Sequence, residues 1–387
     1  MSDSPNFLTY AQTAFDPFEE RPFCAVDSLV FAWLSYLRLP GDMAELTNWQ
    51  GLDVRELLRA ECYRDMTGDL WDPEGSRALL EAVTASPRYR GMHVCGYRAV
   101  SDVVATEQFA AMAFRFPAGF SYLSFRGTDS TIVGWKEDFN MSYLEAVPAQ
   151  VRAAEYTAEI MRLCRLHKVR IGGHSKGGNL AAWAGLHLPK RDYGRLLAVY
   201  NNDGPGFSRS LTELPEFALL KGKLHTYIPE SSIVGVLLEH CEEYTVIAST
   251  ARSIMQHEAL SWCTERNHFI HLEERSTMGR RSDDVLRDWI GSMTPQERKD
   301  FTDAFFEILS MGGKARTLED VQEMGLGGAV ALVKEYAGAD EKTRRILAEI
   351  FKRLAVDIGG EVASSAQDGL KHATGFLKNL GRKKPEK

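Results

Sequence analysis

One segment carries the residue types and spacing of a nucleophile site. In Val169-Arg170-Ile171-Gly172-Gly173-His174-Ser175-Lys176-Gly177-Gly178-Asn179-Leu180-Ala181-Ala182 a short β-branched run leads into Gly-His-Ser-Lys-Gly, and an Ala-rich helix-forming stretch follows at once. This is G-x-S-x-G between a strand and a helix. A serine at the tip of so tight a turn takes strained backbone angles, so the positions two before and two after it must lack side chains. Gly173 and Gly177 meet that demand. The Ser175 hydroxyl then stands clear of the strand end. The Lys176 N–H opens the following helix, where unpaired backbone donors and the helix dipole favour an oxyanion. The pattern points to nucleophilic catalysis by Ser175.

Such a turn needs a sheet to hold it, and the flanking sequence supplies one. Residues 92–100, 108–116 and 120–125 read as strands, with Pro117-Ala118-Gly119 as the turn between the second and third. Residues 151–167 read as a helix, and 195–201, 223–228 and 243–249 as further strands, the last of them closing the series. Strands alternating with helices predict an α/β fold with a mostly parallel sheet and right-handed crossovers. Ahead of it, Val26, Leu29, Val30, Trp33, Leu34 and Leu37 fall at helical spacing, 52–62 and 75–85 read as two more helices, and 1–22 as a loose, polar stretch. From Ser282 the character is helical. Thr294-Pro295-Gln296-Glu297 is a capping box with Pro at N1, opening a helix through Met311, and Thr317-x-x-Asp320 is a second start. The expected division is therefore a domain over 1–281, including a helical region at 23–86, and a helical extension over 282–387 with a basic tail.

A second motif precedes the serine. Phe125-Arg126-Gly127-Thr128 ends a strand, so Thr128 and its N–H lie at the carboxyl edge of the sheet, where α/β folds bind ligands. Phe-Arg-Gly-Thr, a loop with Ser130 and Ile132, then Trp135-x-x-Asp138 and, one helix later, Gly-His-Ser-x-Gly-Gly-x-Leu-Ala together resemble the class 3 (fungal-type) lipase family over about residues 90–265. With the helical region before and the extension after, the chain also resembles a bacterial family of lipase-like proteins. The resemblance implies an α/β-hydrolase fold and hydrolysis of carboxylic esters that needs no metal or organic cofactor. It also implies an oxyanion donor at Thr128 beside the Lys176 N–H, and a lid in the segment that follows. Trp135 and Asp138 are then lid and lid anchor, or part of an amphipathic helix packing one aromatic. The Lys176 charge is expected in solvent, or paired with an acid such as Glu230.

A serine nucleophile needs a base in reach and a carboxylate to hold that base. In α/β-hydrolases the order is serine, acid, histidine. His187 on the helix after Ser175, His225 in a strand and His240 on an expected helix are badly placed. His257 sits in a loop after the last strand, in the His-x-x-x-x-Trp setting that the resemblance favours, with His268 as the alternative. The acid is less plain. Where class 3 lipases carry an aspartate, this sequence has Ser232. Asp203, ending the strand after the Ser175 unit in Asn-Asn-Asp-Gly-Pro-Gly, is the favoured substitute and Glu230 the second. A Ser175–His257 dyad oriented by Ser232, or a degenerate site, is the remaining option. The vacancy at Ser232 also favours the competing function, a lipase-like scaffold or lipid-binding protein without turnover.

Composition narrows the partners. Of 387 residues 44% are hydrophobic and 26% charged, an ordinary globular balance. The net charge of -7 argues against nucleic acid, and the small-molecule ester or lipid expected as substrate is what the resemblance implies. Six cysteines without a C-x-x-C pair or zinc spacing fit reduced thiols and a cytoplasmic protein. The start Met-Ser-Asp-Ser-Pro-Asn does not read as a signal peptide, and 26–39 is too short and too polar to span a bilayer. Leu347, Phe351, Leu354, Ile358, Val362, Leu370, Phe376 and Leu380 form an apolar stripe ahead of Arg382, Lys383, Lys384 and Lys387. Peripheral contact with an anionic membrane is one reading of it. Docking on the protein's own helices is the favoured one, because Asp357, Glu361 and Asp368 dilute the charge and Gly359-Gly360 weakens the helix. Nothing in the sequence sets an oligomeric state.

Overall fold

Tyr122 and Leu123 are adjacent in one strand and both fully buried, yet they belong to different cores. Side chains alternate across a strand, so a sheet that is dry on both faces must be covered on both. Tyr122 packs against Phe31, their ring centroids 5.1 Å apart, on the side of the N-terminal helices. Leu123 and Phe125 face the other way, where Phe125 meets Tyr156 edge-on at 5.9 Å. The computed structural model that shows this describes residues 4–68, 70–207, 213–240, 242–276, 290–310, 315–317 and 320. The chain divides into two compact units, Met1–Asp300 and Phe301–Lys387.

The first layer holds α1 (Phe7–Thr13), α2 (Ala25–Leu34), α3 (Tyr63–Thr67) and α4 (Pro73–Ala85). The sheet is built from β1 (Leu52–Asp53), β2 (His93–Asp102), β3 (Glu107–Arg115), β4 (Phe120–Phe125), β5 (Lys168–His174), β6 (Leu196–Asn202), β7 (Leu224–Pro229), β8 (Tyr244–Ile247) and β11 (His271–Leu272), in that spatial order. A separate ribbon pairs β9 (Thr264–Glu265) with β10 (His268–Phe269). Strands β4 to β8 run parallel, while β1 to β4 and the β8–β11 pair are antiparallel. Helix α5 (Ile132–Asn140) follows β4. Then α6 (Pro148–Leu163), α7 (Lys176–Leu186) and α8 (Phe217–Leu220) make the crossovers between successive parallel strands. The α/β-hydrolase fold expected from the sequence is the fold found. Its parallel strands bring the ends of β4, β5, β6 and β7 to one edge, the edge at which such sheets bind ligands.

Four local expectations are corrected. Residues 1–22 are not loose throughout, because Asn6 caps α1 and Phe7 and Tyr10 are buried. Residues 52–62 are not one helix. Leu52 and Asp53 pair with Val94 and His93, and the Asp53 side chain then accepts from the Arg55 N–H at 2.9 Å, turning the chain into short 3₁₀ turns. His240 is not helical; it follows Glu239, which bridges back to Phe207. The sheet also does not end at residues 243–249, since β11 adds an antiparallel edge strand. The helix opened by Thr294 runs Pro295–Leu309, with the Glu297 carboxylate accepting the Thr294 N–H at 2.7 Å. Asp320 and Thr317 make the reciprocal bonds of a second capping box. The apolar stripe at 347–380 and the basic tail lie outside the described residues. Among the described residues no helix is long and apolar enough to cross a membrane.

Candidate active site

Strand β5 ends at His174, and Ser175 takes φ 58 and ψ -134 before α7 begins at Lys176. A left-handed φ on a residue with a side chain costs about 1–3 kcal/mol and persists only where its surroundings over-determine it. They do here. A Cβ on Gly173 would stand 2.4 Å from the Gly177 carbonyl carbon, and one on Gly177 would stand 2.1 Å from the Phe125 carbonyl oxygen. The Ser175 N–H donates to the Asn202 carbonyl at 3.0 Å, and the Asn202 side-chain amide returns a bond to the Gly173 carbonyl at 3.0 Å. The turn is thus clamped between β4 and β6, and the serine oxygen is set forward of the sheet edge.

Ser175 Oγ lies 2.9 Å from His257 Nε2, and His257 Nδ1 lies 2.6 Å from Asp203 Oδ2. The Asp203 side chain is fully buried, whereas that of His257 is 26% exposed. An ionised carboxylate only accepts, so the proton belongs on Nδ1 and Nε2 is left as the acceptor for the serine hydroxyl. Asp203 also has a left-handed φ of 55 and is held by its turn. Its N–H donates to the Tyr227 carbonyl at 2.8 Å, and Asn201 Oδ1 accepts the Gly204 N–H at 2.8 Å. From beneath, Asn179 donates to the Pro205 and Gly206 carbonyls and is itself oriented by Gln150.

Of the alternatives, Glu230 follows β7 in a turn, half-buried, and it is the Asp203 carboxylate that meets His257. His268 lies in β10 with its side chain 54% exposed, 3.8 Å from Glu265. Ser232 donates its hydroxyl to Asp203 Oδ2 at 2.6 Å.

Three residues that position His257 went unread in the sequence. The Gln256 side chain accepts the Ser231 N–H at 2.7 Å and donates to the Ala251 carbonyl at 3.2 Å, while its own carbonyl accepts from the buried Trp262 indole at 2.8 Å. His174 stacks on His257 with centroids 4.7 Å apart, and its Nε2 donates to the His257 carbonyl at 2.9 Å. Burial, reinforced by His257 beside it, holds the His174 imidazole well below the usual histidine range, so it is neutral and its Nδ1 accepts from the Tyr36 hydroxyl at 3.1 Å. The signal for His174 and Gln256 was adjacency to Ser175 and His257. Nothing in the sequence marked Tyr36, which comes from the turn that ends α2.

The Thr128 hydroxyl donates to Asp138 Oδ2 at 2.5 Å. The Lys176 charge does not stay in solvent; it pairs with acidic residues, which are Glu137 and Asp138 rather than Glu230. The Lys176 side chain is fully buried, and its ammonium meets Glu137 at 3.0 Å and Asp138 at 3.6 Å. Two adjacent carboxylates on α5 draw it under the sheet edge, because an ammonium leaves water only toward such partners. Trp135 and Asp138 both lie in α5, an ordinary helix capped by Thr131. Around Ser175 there is thus a hydrogen-bonded base and acid. The first N–H of α7 belongs to Lys176, and Thr128 lies in the loop that follows β4. This arrangement can generate a nucleophile and receive a developing oxyanion.

A family profile described as Mbeg1-like matches residues 83–307. No curated protein matches the chain. Among solved structures, the lipase–propeptide complex from Rhizomucor miehei is 19% identical, covers 55% of this chain and 70% of its own, and has a TM-score of 0.33. Lipase II from Rhizopus niveus is 18% identical over 55% of this chain and 83% of its own, with a TM-score of 0.33. The lipase from Rhizopus microsporus var. chinensis is 15% identical over 60% and 90%, with a TM-score of 0.36.

Proposed function

The chain belongs to the Mbeg1-like family, and from the site it carries we propose that it is a serine hydrolase cleaving carboxylic esters. The observation that carries this reading is the row from Ser175 through His257 to Asp203, closed at 2.9 and 2.6 Å at the ligand edge of the sheet. Ser175 Oγ attacks the acyl carbon as His257 Nε2 takes its proton. The buried Asp203 carboxylate keeps the second proton on Nδ1 and stabilises the imidazolium. The tetrahedral oxyanion is received by the N–H of Lys176, at the N-terminus of α7, and by the N–H of Thr128. Collapse expels the alcohol, which takes the proton from His257. A water molecule then repeats the cycle on the acyl-enzyme. The substrate class follows the resemblance to class 3 lipases: a small-molecule ester or a lipid acyl ester.

The competing reading, a scaffold without turnover, rested on Ser232 occupying the acid position. With a carboxylate at His257 from the neighbouring strand, that serine no longer argues for an empty site.

Labelling by a fluorophosphonate probe tests the proposal. The full chain is expected to label at Ser175 and to hydrolyse short p-nitrophenyl esters. Ser175→Ala should lose the label, stay folded and lose activity by about 10⁶-fold, down to the assay floor. A folded wild-type chain that neither labels nor hydrolyses an ester panel would leave the scaffold reading standing.

A further inference from the structure

Lys176 carries a charge the chemistry does not use. Its ammonium, fully buried, donates to the Gln108 carbonyl at 3.0 Å and to Glu137 Oε2 at 3.0 Å, with Asp138 Oδ1 at 3.6 Å. Burial alone would lower the lysine, but Asp138 and Glu137 outweigh it and raise it above the usual range, so it is a cation. Glu137 does more than pair. Its two oxygens also accept the N–H of Gln108, in β3, and of Ala149, at the start of α6, each at 2.9 Å. Asp138, the next residue on α5, accepts the Thr128 hydroxyl. Asp129, which pairs with Arg126 at 3.3 Å, also acts on the lysine. Helix α5 comes close enough for this because Gly134 lacks a side chain: a Cβ there would stand 2.9 Å from the Thr128 methyl.

A buried ion pair is seldom more stabilising than apolar residues of the same volume, because desolvation offsets the attraction. Stability therefore gives little reason for this one. Geometry gives a better reason. The backbone N–H of Lys176 is one of the two donors assigned to the oxyanion, and its ammonium is tied to the helix that holds the other donor, Thr128.

We infer that the Lys176 side chain is a positioning residue: through Glu137 and Asp138 it locks α5 to the nucleophile turn and so fixes Thr128 against the reacting carbonyl oxygen. The inference rests on the hydrolase reading.

A double-mutant cycle tests it, with kcat and KM for a p-nitrophenyl ester measured on the full chain. Thr128→Val alone is expected to lower kcat about tenfold with KM little changed, because the bond to Asp138 is lost. In a Lys176→Met background the same substitution should cost less than about twofold, since the anchor is already loose; coupling of that size is within the range for residues sharing one network. Where Lys176→Met does not fold, Lys176→Met/Glu137→Gln, which removes both charges of the main pair, serves as the background. A purely structural lysine would give independent losses, so additive effects overturn the inference, as does a Thr128→Val variant with wild-type kcat. An unlabelled, inert wild type overturns the hydrolase reading and this inference with it, whereas an active wild type with an additive cycle overturns this inference alone.

Discussion

Ser232 donates its hydroxyl to Asp203 Oδ2 at 2.6 Å, and that same oxygen lies 2.6 Å from His257 Nδ1. Both side chains are fully buried. The sequence resemblance to class 3 lipases puts the expected acid at the position of Ser232. Here the carboxylate that meets His257 directly follows β6, one strand away, and the serine is a hydrogen-bond donor to it. The two positions reach one point from adjacent parallel strands, β6 and β7, whose ends sit side by side at the sheet edge.

Asp203→Asn is expected to lower kcat by about 10⁴-fold, the loss that follows when an orienting carboxylate is replaced by an amide. Glu230→Gln should leave it near wild type. Ser232→Ala removes one bond to a buried charge, an interaction of about 1.5–3 kcal/mol, and should cost about tenfold or more in kcat. The informative variant is Asp203→Asn/Ser232→Asp. Because the two side chains meet at one oxygen, it should recover at least about tenfold over Asp203→Asn, a gain of about 1.4 kcal/mol. Steady-state ester hydrolysis reads all four. A loss in Glu230→Gln with none in Asp203→Asn would move the role to Glu230.

How far the sequence reveals this molecule depends on how local each signal is. The Ser175 turn is legible because its demands fall within five residues, and the strands are legible because apolar runs and turn residues alternate. For the partner of His257 the sequence favours Asp203 but leaves Glu230, a dyad and a degenerate site open, since strand order and register decide which carboxylate arrives, and neither is written in the local pattern. The partners of Lys176 are hidden for a related reason. A lysine beside a nucleophile looks solvated until α5, some 40 residues earlier, is packed beneath it with Glu137 and Asp138. Tyr36 carried no signal, because its contact with His174 exists only once the N-terminal helices dock on the sheet. The break at 52–62 was hidden by helix-forming residues such as Leu57, Leu58 and Ala60, which the pairing of Leu52 and Asp53 with β2 overrides.

The Tyr36–His174 pair predicts a stability cycle. Tyr36 and His174 are both buried, so His174→Phe keeps the stack on His257 but leaves the Tyr36 hydroxyl short of its main acceptor and the His257 carbonyl short of a donor. An unsatisfied buried polar group costs about 1–3 kcal/mol. Tyr36→Phe/His174→Phe should regain part of that loss, because the hydroxyl is gone with its acceptor. Urea unfolding of His174→Phe, Tyr36→Phe and the double variant against wild type measures it. Additive losses would mean that the two side chains do not act as a pair.

The final prediction links pH to the oxyanion side. Burial pushes the Asp138 carboxyl up to about 6, with Lys176 and the Thr128 hydroxyl pulling it partway back. Unfolded, the group titrates near 3.8. The folded chain therefore binds this proton more tightly than the unfolded chain. Its contribution to stability is fully present below about pH 4 and is lost as pH rises through about 6. At neutral pH the ionised carboxylate is thus a cost, about 1–3 kcal/mol once its 26% exposure is allowed for. Asp138→Asn should remove that cost. It should unfold at higher urea than wild type at pH 8, with a gain roughly half as large at pH 5, where wild-type Asp138 is mostly protonated. Glu137, at 3.0 Å, remains as the partner of Lys176 in this variant. The same substitution weakens the acceptor that holds Thr128, so kcat should fall while stability rises, the trade expected where a strained charge serves a site. A variant less stable than wild type at pH 8 would show that pairing with Lys176 outweighs burial at Asp138. A variant of wild-type kcat would remove Asp138 from the support of the oxyanion side.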